Sequence, residues 1–140
     1  MKRRYSLIFV TLLILGAGLF SCRTAIGPGD TDWNRETGPF VKTLDRDGHL
    51  LHYIDMGSGD PVVLVHGFAE TVYSWHENVP ALMEAGFRLI LVDQPGHGRS
   101  GAPGGTYTYT LENQAEAVVK LTEHLGLRKF SIIGHSTGGS

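Results

Sequence analysis

The sequence predicts an α/β fold whose sheet is mostly parallel and begins with an antiparallel hairpin. Three runs of aliphatic, often β-branched residues alternate with segments of helical periodicity, as in folds built from strand-helix-strand units. An Asp-Gly pair lies between two short apolar segments ahead of them. The composition, 41% hydrophobic and 19% charged over 140 residues, suits a single globular domain rather than a disordered chain.

The hairpin is predicted from Val41 to Leu44 and Leu50 to Ile54, which flank Asp47-Gly48. This dipeptide is favoured in two-residue hairpin turns because both positions tolerate positive φ. The parallel strands are predicted at 62–65, 89–92 and 130–133. Their lack of polar alternation is typical of strands covered on both faces.

Two helices are predicted between these strands. Ser74 and Glu77 have the spacing of a capping box, and Gly86 is placed to end the first helix. Its expected buried face is Trp75, Val79, Leu82 and Met83. Thr110 is the expected cap of the second helix, which ends before Gly126. Its expected buried stripe is Leu111, Ala115, Val118, Val119, Thr122 and Leu125.

The first 38 residues are predicted to direct the chain out of the cytoplasm and to link its domain to a membrane. Basic residues at 2–4 precede an apolar run from Leu7 to Phe20, the pattern of a signal peptide over residues 1–21. The stretch 19–22, Leu-Phe-Ser-Cys, resembles the lipobox of bacterial lipoproteins, which implies lipidation of Cys22 and a cell-envelope protein anchored in a membrane. Cleavage by the ordinary signal peptidase, giving a secreted chain, and retention as an uncleaved anchor are the alternatives. Residues 22–38 are predicted to form a flexible tether, and the domain is predicted over 39–140.

Charge and cysteine content exclude several classes of function. Three of the 12 basic residues precede Cys22, so the chain from Cys22 onward has nine basic and 14 acidic residues. This excess of negative charge is unfavourable for nucleic-acid binding. A single cysteine rules out a disulfide framework and a cysteine-based zinc site. No nucleotide or metal cofactor is implied, and a small-molecule substrate is the expected partner.

The chemistry-bearing motif is Gly134-His135-Ser136-Thr137-Gly138, which follows the last predicted strand directly. A G-x-S-x-G motif between a strand and a helix start raises its serine on a sharp turn. Gly134 and Gly138 are expected there because a side chain at either position would collide with neighbouring backbone. Ser136 is thus the candidate nucleophile.

Two more motifs occupy the ends of the earlier strands: Val65-His66-Gly67-Phe68, and the stretch 93–100, Asp-Gln-Pro-Gly-His-Gly-Arg-Ser. With the serine motif they resemble the α/β-hydrolase family over roughly Val41 to Ser140. The resemblance implies the N-terminal part of the α/β-hydrolase fold, incomplete at the C-terminus. It also implies an oxyanion hole formed by the backbone N–H groups of Phe68 and Thr137.

The sharp turn 134–138 that carries Ser136 is called the elbow, and the residue at its centre narrows the expected chemistry. Haloalkane dehalogenases and most epoxide hydrolases of this family place aspartate at the elbow, so Ser136 favours acyl-type chemistry on esters, thioesters, lactones, amides or β-diketone carbon-carbon bonds. The sequence therefore predicts a serine hydrolase, with carboxylic esters as the first choice of substrate class. The alternative is a non-catalytic binding or scaffold lipoprotein that keeps the fold.

The other polar residues are assigned mostly structural roles. His66 is expected to order the oxyanion turn, since in the family the catalytic histidine follows the serine in the chain. The resemblance gives Asp93 and its loop a structural role, and His135 is expected to pack or hydrogen-bond locally. Glu70, which follows the oxyanion turn, is expected at the surface or in the core, with the border of the pocket as the alternative. A serine needs a base and an orienting carboxylate. Neither is found after Ser136, so we expect an incomplete enzyme, inactive as this chain alone.

Overall fold

The computed structural model describes residues 41–46 and 49–140. The predicted signal peptide, Cys22, the tether and the Asp47-Gly48 turn lie outside the described residues. Over the part that is described, no helix is both long enough and apolar enough to cross a membrane.

One five-stranded sheet organises the described chain. Its strands are β1 (Val41–Arg46), β2 (His49–Met56), β3 (Pro61–Val65), β4 (Arg88–Val92) and β5 (Ser131–Gly134), in the spatial order β1-β2-β4-β3-β5. β3 pairs in parallel with both β4 and β5, whereas β1 with β2 and β2 with β4 are antiparallel. The predicted α/β fold with parallel strands after an N-terminal hairpin is confirmed.

The hairpin register explains how the chain enters the sheet. Arg46 lies opposite His49, which leaves the two residues 47 and 48 between the strands. β2 then places Ile54 opposite Leu91 of β4. The hairpin thereby lies on the β4 side of the parallel strands, with β2 antiparallel to β4.

The sheet separates two apolar layers. On one face, β-strand residues such as Leu64 and Leu91 contact the segment after β3 through Val72, Trp75 and Val79. On the other face, Val63, Val65, Ile90 and Val92 contact Val118 and Leu121 of the long helix. The central strands β3 and β4 are covered on both faces, as their continuous apolar runs predicted. β5, for which the same was expected, is only partly buried at Ile132 and Ile133.

The first predicted helix begins later than expected. A 3₁₀ turn, Val72–Trp75, is capped by the Thr71 hydroxyl, and helix α1 spans only Val79–Glu84 after Asn78. The predicted capping box of Ser74 and Glu77 is therefore wrong. Pro80 in the first turn of α1 suits a helix start there because a first-turn N–H needs no intrahelical partner. Gly86 follows the helix at φ +83°, as predicted for its end.

The second helix, α2 (Leu111–His124), is capped as predicted by the Thr110 side chain, which accepts a hydrogen bond from the Asn113 N–H. Its buried face differs from the predicted stripe. Leu111, Ala115 and Val119 are exposed, and the buried residues are Gln114, Val118, Leu121 and Thr122. Val118 and Thr122 are buried as predicted, but the stripe missed Leu121, and it missed Gln114, whose side-chain amide donates to the Pro95 carbonyl oxygen.

Candidate active site

The candidate site lies where neighbouring strands β3 and β5 end. Val65 pairs with Gly134 in the parallel ladder, and the His135 N–H donates to the Val65 carbonyl oxygen at 3.0 Å. The turn after β3 and the turn after β5 therefore leave the same edge of the sheet side by side. A Cβ atom built on Gly67 would lie 3.1 Å from the Cβ of Ser136, so the two turns are in contact.

Ser136 occupies the tight turn that its motif predicts. Its φ is +51°, a left-handed conformation that costs a non-glycine residue of the order of 1–2 kcal/mol. A Cβ on Gly134 would meet the Gly138 carbonyl oxygen at 2.2 Å, and one on Gly138 would meet the Val65 carbonyl oxygen at 2.4 Å. The predicted need for clearance at both glycines is confirmed. Ser136 itself is exposed.

A single 3₁₀ turn, Ser136–Gly139, follows the elbow. Thr137 is half-buried in this turn, near its amino end, where N–H groups lack acceptors within the turn itself. Such N–H groups stabilise a negative charge that lies close to them. The position suits Thr137 as an oxyanion donor.

The turn after β3 has a left-handed residue of its own. Ala69 has φ +59°, and the Glu70 N–H donates back to the Gly67 carbonyl oxygen at 3.3 Å. No hydrogen bond among the described residues uses the Phe68 N–H. The Phe68 ring is 77% exposed, with its edge toward His97 at a centroid distance of 6.1 Å. Phe68 thus presents a free N–H and an apolar ring at the sheet edge.

The buried His66 ring stabilises this turn through hydrogen bonds. Its Nε2 accepts from the Gln94 N–H at 3.0 Å, so Nδ1 carries the proton and donates to the Gly67 carbonyl oxygen at 2.7 Å. Burial lowers the pKa of His66 despite that bond, which keeps the ring neutral at pH 7. Both ring nitrogens are used, an arrangement that fits the predicted structural role.

Asp93 is similarly occupied. Its carboxylate accepts from Val72 N–H at 2.7 Å, from His52 Nδ1 at 2.7 Å and from Arg99 N–H at 3.0 Å. Burial alone would raise the pKa of Asp93, but these three donors hold it below its ordinary value. Buried and saturated with donors, Asp93 serves the loop rather than the elbow.

Two residues of the site region were missed by the sequence analysis. His52 lies buried beside Asp93, and a histidine within an apolar strand was the available signal. Glu70 was assigned to the surface or core. Its Oε2 accepts from the Gly67 N–H at 2.9 Å and from His135 Nδ1 at 3.1 Å. The expectation that His135 packs or bonds locally is therefore wrong, because its partner lies 65 residues earlier in the chain. No pattern in the sequence indicated that bridge.

Metal binding has no support in this region. Among residues 41–46 and 49–140, no group of three or more histidine, cysteine, aspartate or glutamate side chains could hold a metal ion. Where the two turns meet, the polar groups are the N–H groups of Phe68 and Thr137, the Ser136 hydroxyl, and the Glu70 carboxylate with its partner His135. Such a set can stabilise an oxyanion and supply a nucleophile.

The sequence pattern of a family described as the alpha/beta hydrolase fold matches residues 60–140, more than half of the chain. The chain belongs to the α/β-hydrolase family. Over 96 residues it is 44% identical to bifunctional epoxide hydrolase 2 of Sus scrofa, covering 69% of this chain and 17% of that protein. It is 37% identical over 101 residues to a non-heme haloperoxidase of Rhodococcus erythropolis, covering 72% of this chain and 35% of that protein.

Solved structures agree with this α/β-hydrolase assignment. An epoxide hydrolase from Vigna radiata superposes with a TM-score of 0.65 at 31% identity, covering 70% of this chain and 32% of that one. The α/β-hydrolase chain therefore spans about a third or less of the length of these relatives. The shared part includes both turns of the candidate site.

Proposed function

We propose that the complete protein is a serine hydrolase that transfers an acyl group from a small ester-like substrate to Ser136 and then to water. The positive φ of Ser136 carries this proposal. A strained conformation at an exposed serine, kept in place by two glycines that no larger residue could replace, is typical of a site selected for reactivity.

In the proposed mechanism, the Ser136 Oγ attacks the substrate carbonyl carbon and its proton passes to a base. The carbonyl oxygen becomes an oxyanion between the N–H groups of Phe68 and Thr137. Removing one donor of such a pair typically costs about 100- to 1000-fold in kcat. Collapse of the tetrahedral intermediate expels the alcohol, and water then releases the acid from the acyl-enzyme.

The base and its orienting carboxylate are proposed to lie in sequence beyond Ser140 in the complete protein. Two observations support this. No described hydrogen bond joins the Ser136 hydroxyl to a histidine, and the nitrogens of His66 are both committed elsewhere. The relatives are about three times as long as the part matched here or longer. This chain alone is accordingly proposed to be inactive.

The names of the relatives favour hydrolysis but not one substrate. Epoxide hydrolases and a haloperoxidase are among them. Ser136, in place of the aspartate that most epoxide hydrolases of the family carry, supports acyl chemistry over epoxide opening. A substrate with a carbonyl carbon, of ester type first, is the class proposed.

A fluorophosphonate probe tests the proposal in the complete protein. Wild-type protein should be labelled and should hydrolyse p-nitrophenyl esters, whereas Ser136→Ala should do neither while melting at the same temperature. Equal labelling of the Ser136→Ala variant would refute the assignment. A wild type that binds small esters without being labelled would instead indicate the non-catalytic binding or scaffold alternative.

We further propose that the complete protein is held in the cell envelope by lipid on Cys22. The basic, apolar and cysteine order of residues 2–22 supports this. Cys22→Ser should move the protein from the membrane to the soluble fraction. Unchanged membrane association would point to an uncleaved anchor.

A further inference from the structure

Glu70 joins the two halves of the candidate oxyanion hole. One donor, Phe68, lies in the turn after β3, and the other, Thr137, lies in the turn after β5. The backbone bond from His135 to Val65 ties these turns together at their base. Above it, the Glu70 carboxylate contacts both turns, accepting from the Gly67 N–H at 2.9 Å and from His135 Nδ1 at 3.1 Å through one oxygen.

The bonds of Glu70 also engage both hydrogen-bonding groups of Gly67, the residue before Phe68. The Gly67 N–H is used by Glu70 Oε2, and the Gly67 carbonyl oxygen accepts from the Glu70 N–H and from His66 Nδ1. With the N–H and carbonyl groups of Gly67 engaged in this way, the next N–H, that of Phe68, has no described partner, and neither has that of Ala69. Ala69, with its left-handed φ, lies between Gly67 and Glu70, which are joined by the bond from the Glu70 N–H to the Gly67 carbonyl oxygen.

We propose that Glu70 is a positioning residue that sets the spacing between the Phe68 and Thr137 oxyanion donors by clamping Gly67 to His135. This inference rests on the serine hydrolase function proposed above. Its energetic basis is that oxyanion donors act only at hydrogen-bond distance from the developing charge. A displacement of about 1 Å can cost on the order of 100-fold in rate.

The charge state of Glu70 suits the role. The Gly67 N–H, followed by His135, lowers the pKa of Glu70, so the carboxylate is ionised at neutral pH and accepts both bonds. A partly exposed bond of this kind adds little to global stability. Its loss should therefore be felt in the geometry of the site more than in the melting temperature.

The test compares Glu70→Ala, which removes the clamp, with Glu70→Gln, which keeps an oxygen acceptor and removes the charge. In the complete protein, with kcat normalised to sites labelled by fluorophosphonate, Glu70→Ala should lower kcat about 10- to 100-fold. KM should change by less than about twofold, since ground-state binding is not altered. Glu70→Gln should restore most of kcat.

Glu77→Ala is the matched control, because Glu77 makes an exposed contact with His76 Nε2 at 3.0 Å and lies outside the two turns. It should leave kcat unchanged. His135→Ala should lower kcat less than Glu70→Ala, and the double variant should lose no more than Glu70→Ala alone. Additive losses would overturn the clamp.

Two other results would also reject the proposal. Unchanged kcat in Glu70→Ala would show that the turns hold their spacing without the carboxylate. A Glu70→Gln variant as inactive as Glu70→Ala would show that the charge itself is required, as for a proton acceptor. Failure of the underlying function is distinguished by Ser136→Ala, because labelling that persists in that variant rejects the nucleophile whatever Glu70 does.

Discussion

The loop after β4 and the elbow after β5 occupy similar positions in the sheet and have opposite properties. Both follow a parallel strand, both are rich in glycine, and both begin with a short polar stretch. In the first, Asp93 is 1% exposed and accepts three hydrogen bonds. In the second, Ser136 is exposed, and its hydroxyl has no described hydrogen bond. A polar side chain at a strand end is available for chemistry only where the fold leaves it unpartnered.

Backbone strain is distributed differently in the two regions. The loop after β4 places its left-handed conformations at Gly96 and Gly98, with φ +78° and +52°, where no side chain resists them. The elbow places its left-handed conformation on Ser136 and uses glycines as the flanking residues. The loop after β4 has no backbone strain of this kind, and its carboxylate is fully hydrogen-bonded. In the elbow, by contrast, the strained residue is the candidate nucleophile itself.

The largest expected effect tests the saturated loop. Asp93→Ala leaves the buried His52 ring and the buried Val72 N–H without their acceptor, together with the partly buried Arg99 N–H, and should lower the free energy of unfolding by about 3–5 kcal/mol. Asp60→Ala, at an exposed carboxylate, should change it by less than about 0.5 kcal/mol. Urea unfolding of the complete protein measures both. A similar small change in both variants would mean that the loop does not depend on Asp93.

Acid titration gives the same prediction a second readout. Because the folded state lowers the pKa of Asp93, its ionisation stabilises the fold above the ordinary carboxyl pKa of about 4. That contribution is lost as the pH falls through the lower pKa of the folded state. Asp93→Asn should therefore lose less stability between about pH 4 and pH 2 than the wild type does.

A smaller effect on stability is expected from alanine substitutions at two glycines, which distinguish the cost of a steric clash from the cost of the backbone conformation. Gly98 and Gly126 have similar φ values, +52° and +66°. A Cβ on Gly98 would lie 2.3 Å from the Asp93 carboxylate, whereas a Cβ on Gly126 would meet nothing within 4 Å. Gly126→Ala should cost about 1 kcal/mol of stability, from conformation alone. Gly98→Ala should cost at least about 2 kcal/mol, and equal losses would show that the Asp93 contact is not tight.

The sequence predicted more of the strands and turns than of the side-chain contacts. Continuous apolar runs identified β3 and β4 because burial on both faces leaves a direct compositional trace. The elbow was predictable because Gly134 and Gly138 are required by nearby backbone atoms, which leave no room for a Cβ atom. The buried face of α2 was predicted only in part: the stripe omitted Leu121, and Gln114 is buried through a bond to the distant Pro95. Glu70 was missed for the same reason, since its partner His135 is 65 residues away.

The smallest expected effect tests strain at the elbow itself. Ser136→Gly removes the Cβ that disfavours φ +51°, which should stabilise the fold, although added freedom in the unfolded chain offsets part of the gain. We expect a net increase of about 0.5 kcal/mol. Ser136→Ala keeps the Cβ and the strain, so it should melt with the wild type. Both variants should lack probe labelling, which separates reactivity from strain: the glycine variant differs from the alanine variant in stability alone. Equal melting temperatures for the two would place the cost of the turn elsewhere, with Ala69 at φ +59° as the next residue to replace by glycine.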